Sequence, residues 1–147
     1  MPLYRTVLDT NVIFAALDSK TGASRRLLLH LASNDYEAFV SGLLFGEYCG
    51  VLHRHLDRFG LTAAELDDFL DGLASLMQPQ TIHFTWRPIL RDEKDDMVLE
   101  CAVAAGADYL VTFNTRDFGE SASFAPKIVT PSQFLERLEQ RLASQEN

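Results

Sequence analysis

Hydrophobic and polar residues alternate along the chain in blocks whose spacing predicts strands and helices in turn. Short apolar runs typical of buried strands occur at Tyr4 to Leu8, Glu37 to Val40, Gln80 to Phe84, Asp108 to Phe113 and Lys127 to Val129. Apolar residues at helical spacing predict helices over Thr10 to Leu17, Ser24 to Ser33, Ser41 to about Leu56, Thr62 to Met77, Asp95 to Ala105 and from Pro131 onward. Because strands alternate with helices, we expect right-handed crossovers and a three-layer α/β/α sandwich with a mostly parallel sheet.

Residue preferences at the helix ends support these boundaries. Ser41 is a favourable cap for the helix after the second strand, and Thr62 with Glu65 has the spacing of a capping box. Pro131 suits the first turn of the last helix, and Gly106 suits the end of the helix before it.

Length and composition predict one domain over residues 1–147. The chain has 147 residues, of which 47% are hydrophobic and 23% are charged, a balance typical of a globular domain with a substantial core. No apolar stretch approaches the ~18 residues that a bilayer span needs, and the first residues lack the pattern of a signal peptide. Cys49 and Cys101 are too far apart for a CxxC motif, so we expect buried thiols in a cytoplasmic protein.

The chain is acidic, since 13 Lys and Arg residues against 21 Asp and Glu residues give a net charge of −8. Such a chain is a poor candidate for binding nucleic acid through phosphate contacts alone, because its own charge repels the phosphates. The exception is a protein whose acids hold metal ions. The placement of the acids along the chain is therefore more informative than their number.

Four acids lie where a parallel sheet would bring them to one edge. Asp9 directly follows the first strand, Glu47 lies within two turns of the start of the helix after the second strand, and Asp117 follows the fourth. Asp95 opens the helix that leads into the fourth strand. Ligands of such sheets bind in the crevice beyond the carboxyl ends of the strands. We therefore expect these four side chains to converge there.

Helical spacing and electrostatics both favour a metal site in that crevice. At ~100° per residue, Asp95 lies on the stripe of Leu99 that faces the sheet, whereas Asp96 points toward the rim. Glu47 lies beside the apolar stripe of its own helix. Crowded, partly desolvated carboxylates resist ionisation unless a cation binds them. Because Mg²⁺ and Mn²⁺ prefer carboxylate oxygens, the spacing predicts one of these ions.

Four segments, in order, resemble the PIN-domain ribonucleases, and more narrowly the PIN-family toxin components of bacterial toxin–antitoxin systems. The segments are VLDTNV (Val7 to Val12), SGLLFGEY (Ser41 to Tyr48), KDDMVLECAVAAGADYLVT (Lys94 to Thr112) and NTRDF (Asn114 to Phe118). The resemblance implies a three-layer α/β domain whose acids hold Mg²⁺ or Mn²⁺ and hydrolyse RNA phosphodiester bonds. The matching acids in this chain are Asp9, Glu47 and Asp95.

The resemblance leaves the fourth ligand open. Asp117 matches the more variable fourth acid, Asn114 stands where many members of the family have Asp, and Asp96 stands where near relatives often have Asn. Small polar residues at matching positions are expected to orient the carboxylates, namely Thr10, Asn11, Ser41, Thr112 and Asn114.

The resemblance also implies a reaction and partners. A metal-activated water would attack the phosphorus in line and leave 5′-phosphate and 3′-hydroxyl ends. The partners would be the RNA, a cognate antitoxin protein and a second copy of the chain, which the apolar helices over Ser24 to Ser33 and Thr62 to Met77 fit. Basic residues near the crevice are candidate phosphate contacts: Arg25, Arg26, Arg87, Arg91, Lys94 and Arg116. Their small number predicts weak RNA affinity with a shallow salt dependence.

Simpler roles and two other functions compete with this interpretation. Asp9 and Asp95 could serve only to cap or charge helix N-termini, and Asp117 could only stabilise a turn. A haloacid-dehalogenase-like phosphatase would use Asp9 as its nucleophile, but that family has Asp-x-Asp where this chain has Asp9, Thr10 and Asn11. A non-catalytic PIN-like module that binds a partner would keep the fold without needing the acids, and the complete acid set argues against it.

Overall fold

Parallel strands in a single sheet form the middle of the molecule. The computed structural model describes residues 2–19, 22–82, 93–121 and 126–145, without the side chains of residues 93–96 and 119–121. Within that part of the chain the strands are β1 (Arg5–Leu8), β2 (Glu37–Val40), β3 (Gln78–Pro79), β4 (Tyr109–Val111) and β5 (Lys127–Val129). Their order is β3-β2-β1-β4-β5, and every neighbouring pair is parallel.

Helices flank this sheet, as the alternating pattern predicts. They are α1 (Thr10–Asp18), α2 (Ala23–Ala32), α3 (Gly42–His53), α4 (Leu56–Phe59), α5 (Ala63–Leu76), α6 (Glu93–Ala104) and α7 (Pro131–Gln145). The helix α2 packs against α1 and α7, whereas α6 packs against β1, β2 and β4. The predicted α/β class with a parallel sheet is therefore confirmed. In the described residues, no helix has both the length and the hydrophobicity that a bilayer span requires.

The strand order reverses at β1, in the middle of the sheet. The chain leaves β1 for β2 and β3 on one side, and returns through α6 to β4 on the other side. The backbone N–H of Asp9 donates to the carbonyl of Val111 at 2.9 Å, which holds the end of β1 against the end of β4. Such a reversal opens a crevice between the two loops that leave these strands. Asp9 therefore lies at the place where a parallel sheet binds its ligands.

The prediction of one helix from Ser41 to about Leu56 is wrong at its C-terminal end. The helix α3 ends at His53, and a separate short helix, α4, begins at Leu56. The rings of His53 and His55 bond to the carbonyls of Cys49 and Val51, each at 2.8 Å. These rings occupy carbonyls of the last turn of α3. In a longer helix, backbone N–H groups of the following residues would bond to those carbonyls instead.

The third strand lies earlier than predicted. Residues Gln80 to Ile82 are not in a strand, and the remainder of the predicted run, residues 83–84, lies outside the described residues. The pairing stops because β2 itself ends at Val40, whose carbonyl accepts the last bond from the N–H of Gln80 at 2.9 Å. A 3₁₀ helix over Thr115–Ser121 follows β4, and α6 begins at Glu93 rather than at the predicted Asp95.

Candidate active site

Asp9 is the best-defined acid of the crevice. It caps α1, because its Oδ1 accepts from the N–H of Thr10 at 2.7 Å. Its Oδ2 accepts from the hydroxyl of Thr112, also at 2.7 Å. The residue is only 7% exposed. Both carboxylate oxygens are thus fixed by donors, and each keeps a lone pair for a further partner.

The hydroxyl of Thr112 connects β4 to this carboxylate. Besides donating to Asp9, its Oγ1 accepts from the N–H of Asn114 at 3.0 Å and from the Nδ2 of Asn11 at 3.3 Å. The Oδ1 of Asn11 in turn accepts from the N–H of Phe113 at 3.3 Å. The small polar residues after β1 and β4 therefore form one network around Asp9, and the network fixes its orientation.

Two further acids act on Asp9 through their charges. Burial raises the pKa of the Asp9 carboxyl, the bonds from Thr112 and Thr10 lower it, and the negative charges of Glu47 and Asp117 raise it. Glu47 lies half-buried on α3, and Asp117 is exposed in the 3₁₀ helix after β4. The charges of Glu47 and Asp117, which belong to two other segments of the chain, thus act on Asp9.

The remaining predicted acids cannot be placed at the level of their side chains. Asp95 and Asp96 belong to the start of α6, but their side chains lie outside the described residues. The same holds for the side chain of Lys94, and Arg87 and Arg91 lie wholly outside them. Their roles stay predictions.

The described side chains fit a divalent cation in chemistry, although they do not enclose one. Among them, no three His, Cys, Asp or Glu residues stand close enough to hold an ion. The donor set is nonetheless all oxygen, as Mg²⁺ and Mn²⁺ prefer. The hydroxyl of Thr10, beside Asp9, is buried and has no partner among the described atoms, so the site has an oxygen with unused bonding capacity.

Ser41 connects the end of β2 to α6. Its Oγ caps α3 by accepting from the N–H of Leu44 at 3.1 Å. It also bonds to the thiol of Cys101. Burial raises the pKa of this thiol to about 11, and the bonds from Ser41 act in the opposite direction. The helix that carries Asp95 is therefore anchored at the carboxyl edge of the sheet.

The pattern of the sequence assigns no role to two buried polar residues, one of which contacts the residue before Asp9. Tyr48 is fully buried and its hydroxyl donates to the carbonyl of Leu8 at 2.5 Å, directly before Asp9. Glu100 is only 4% exposed on α6. An acid inside the apolar run MVLECAVAAG was the available signal for Glu100, because buried acids are rare unless they have partners.

Of the predicted phosphate contacts, three have described side chains, one next to an acid of the site and two that contact other groups. Arg116 is exposed and directly precedes Asp117. On α2, Arg26 bonds to Glu139 of α7 at 2.5 Å, and Arg25 donates to the carbonyl of Ala16 at 3.4 Å. Neither partner belongs to the acid site.

Comparison with known proteins identifies a family for this chain. The model of a protein family described as the PIN domain matches residues 5–116, which is more than half of the chain. The matched segment contains Asp9, Glu47 and Asp95 and ends directly before Asp117. A search of curated proteins finds no match.

Proposed function

Since this chain belongs to the PIN-domain family, we propose that it is an endoribonuclease that depends on Mg²⁺ or Mn²⁺. The PIN domain is generally a nuclease fold, and its members usually are hydrolases that use divalent metals. The observation that supports the proposal most is the position of Asp9. It is a buried carboxylate at the reversal of the strand order, and the charges of two other acids act on it.

In this proposal, Asp9, Glu47 and Asp95 would hold the ion, and Asp117, Asn114 or Asp96 would be the further ligand. A bound ion of this kind would supply a nucleophile from water near neutral pH and offset the negative charge of the phosphate. Thr112 and the N–H of Thr10 keep the Asp9 carboxylate in one orientation. One of the three ligand acids would also accept the proton that the water loses, and Arg116 would contact the phosphate backbone.

The direct test is Mn²⁺-dependent cleavage of a panel of total RNA, with and without a chelator. We expect Asp9→Asn to reduce the rate at least ~100-fold, since loss of a residue that merely supports a metal ligand already costs about 10- to 100-fold. Asp68→Asn is the matched control, because Asp68 is an exposed aspartate on α5. Equal cleavage by the parent and by Asp9→Asn would remove Asp9 from the reaction. Failure of the parent to bind Mn²⁺ would favour a non-catalytic module.

We further propose that the enzyme is the toxin of a toxin–antitoxin pair, since its motifs resemble those of PIN-family toxin components. Induced expression of the parent should then arrest bacterial growth, and expression of Asp9→Asn should not. A small gene directly upstream would encode the antitoxin, and its co-expression should restore growth. Growth arrest by both variants alike would contradict a toxic nuclease activity.

We also propose a homodimer that uses α2 and α5. Each of these helices presents an exposed leucine, Leu29 at 61% and Leu76 at 39%, and large apolar side chains are common in dimer interfaces. Sedimentation analysis should give twice the mass of the 16.5 kDa chain. A monomer at micromolar concentration would refute this part of the proposal.

A further inference from the structure

Phe113 is a large apolar residue held at the edge of the acid site with half of its surface exposed. Its relative exposure is 50%, whereas Thr112 directly before it is fully buried. The backbone on both sides is fixed, because the N–H of Phe113 donates to Asn11 and the N–H of Asn114 donates to Thr112. Because the backbone is already fixed, the exposed ring loses little conformational freedom when it binds a ligand.

Exposure alone would not single out this residue, because isolated apolar residues on a surface are normal. The other large apolar residues that are exposed in the described part of the chain are leucines: Leu29, Leu43 and Leu76. Phe113 is the aromatic member of this set, and it directly follows the residue whose hydroxyl lies 2.7 Å from Asp9. The N–H of Phe113 also donates to Asn11, two residues after Asp9, so the backbone of Phe113 lies beside the acid site.

The charge of the site decides which part of an RNA fits this ring. Asp9, Glu47 and Asp117 make the surroundings negative, so a phosphate is held there only through a cation. The base is the part of a nucleotide that carries no charge and has a flat face. Bases stack readily on aromatic side chains, and they do so whatever their identity.

We propose that Phe113 is a stacking platform for an unpaired base next to the scissile phosphate. This inference rests on the proposed function, because it assigns a base-contacting residue to the same site. A base in a duplex is stacked between its neighbours and offers no free face, so stacking on Phe113 requires an unpaired nucleotide.

The test compares the affinities of two labelled oligoribonucleotides by fluorescence anisotropy, with Ca²⁺ in place of Mn²⁺ to avoid cleavage. One is short, unstructured and complete, and the other has the same backbone without bases. We expect Phe113→Ala and Phe113→Leu to weaken binding of the complete strand about 5- to 100-fold. Phe113→Trp should stay within about twofold of the parent. None of the three should change the affinity for the strand without bases.

Asp68→Asn, which changes an exposed side chain of α5, is the control, and it should bind both strands like the parent. Equal weakening of both strands by Phe113→Ala, or unchanged binding of the complete strand, overturns the inference. The second result would point instead to a protein partner on this ring. Since Phe113→Leu and Phe113→Trp keep an apolar side chain, they decide the matter even if Phe113→Ala does not fold.

These outcomes separate the inference from the proposed nuclease function. If the parent cleaves RNA with Mn²⁺ but the Phe113 variants bind and cleave like the parent, the inference fails and the function stands. If the parent binds the complete strand through Phe113 and cleaves no RNA, the stacking site stands and the nuclease function fails.

Discussion

At Asp9, burial and hydrogen bonding act on the same carboxyl group in opposite directions. Burial favours the neutral acid, and so do the charges of Glu47 and Asp117, whereas the donors Thr112 and Thr10 favour the carboxylate. The net result is a raised pKa. A carboxylate whose pKa is raised in this way binds a cation readily, because the positive ion offsets the repulsion among the neighbouring negative charges.

The first prediction concerns the hydroxyl of Thr112. Thr112→Val keeps the shape of the side chain but removes the donor to Asp9, so the pKa of Asp9 rises further and activity appears only at higher pH. We expect the affinity for Mn²⁺, or the cleavage rate, to fall about 10- to 100-fold. A pH–rate profile and a metal titration measure both effects. Thr112→Ser retains the hydroxyl and serves as the control, and identical profiles of the two variants would contradict this role.

The second prediction concerns the effect of pH on stability at Asp9. A folded-state pKa raised above the ordinary value of 3.8 means that the folded protein binds this proton more tightly than the unfolded chain does. Stability from this group is therefore present below that value and is lost as the pH rises through the folded-state pKa. Without metal, the melting temperature of Asp9→Asn should rise relative to that of the parent as the pH increases from the ordinary value of 3.8 through the folded-state pKa.

The same melting experiment includes a metal arm. Mn²⁺ should raise the melting temperature of the parent and leave that of Asp9→Asn nearly unchanged, because a ligand stabilises only the state that binds it. Asp68→Asn should follow the parent in both arms. A constant difference between parent and Asp9→Asn at every pH would refute the raised pKa.

At the scale of elements, α3 and α5 are joined by a charged contact that depends on pH. The Nδ1 of His53 donates to the carbonyl of Cys49, and its Nε2 lies 2.9 Å from Oδ1 of Asp67 on α5. Both ring nitrogens act as donors only in the protonated ring. The carbonyl of Cys49 and then the carboxylate of Asp67 accordingly raise the pKa of His53 above 6.5.

The third prediction is that this contact weakens with rising pH. Its stabilisation is complete below pH 6.5, the ordinary value, and is lost as the pH rises through the higher folded-state pKa. His53→Gln should therefore lower the melting temperature by at most a few degrees at acidic pH, since the pair is exposed, and hardly at all well above the transition. An NMR titration in which Asp67→Asn leaves the pKa of His53 unchanged would exclude the ion pair as a cause.

Elements set by local residues were predictable, and those set by neighbouring elements were not. The capping box at the start of α5 is present as predicted, with Thr62 and Glu65 bonding to each other's backbone N–H groups. The end of α3 depends on two histidine rings that turn back to the backbone, and β3 is short because β2 ends. Neither effect has a periodic signature in the sequence.

The same distinction applies to the candidate site. The position of Asp9 was predictable because the sequence shows an apolar strand followed directly by a polar residue. The burial of Glu100 and the contact of Ser41 with Cys101 depend on how α6 packs against the sheet. Packing of that kind depends on residues far apart in the chain, so a single sequence does not predict it.

At the scale of the whole molecule, the proposed function requires an acidic protein to hold a polyanion. The net charge is −8, so long-range electrostatics oppose the approach of RNA. Of the three basic candidates that the structure describes, Arg26 is paired with Glu139 and Arg25 bonds to a backbone carbonyl. Arg116 alone among these three adjoins an acid of the site. In the proposed function, RNA binding would therefore depend on the ion, on Phe113 and on a few phosphate contacts.

The last prediction follows from this charge balance. Each phosphate that a protein neutralises on a single strand contributes about −0.7 to the slope of log K against log salt. We expect a shallow slope for a short single strand in Ca²⁺, and Arg116→Gln should reduce its magnitude by about 0.7. Arg26→Gln, which removes a charge already paired with Glu139, should leave the slope unchanged. A parent slope steeper than about −5.6 would mean eight or more phosphate contacts. Basic side chains would then hold most of the RNA backbone, and the proposed dependence of binding on the ion and on Phe113 would be wrong.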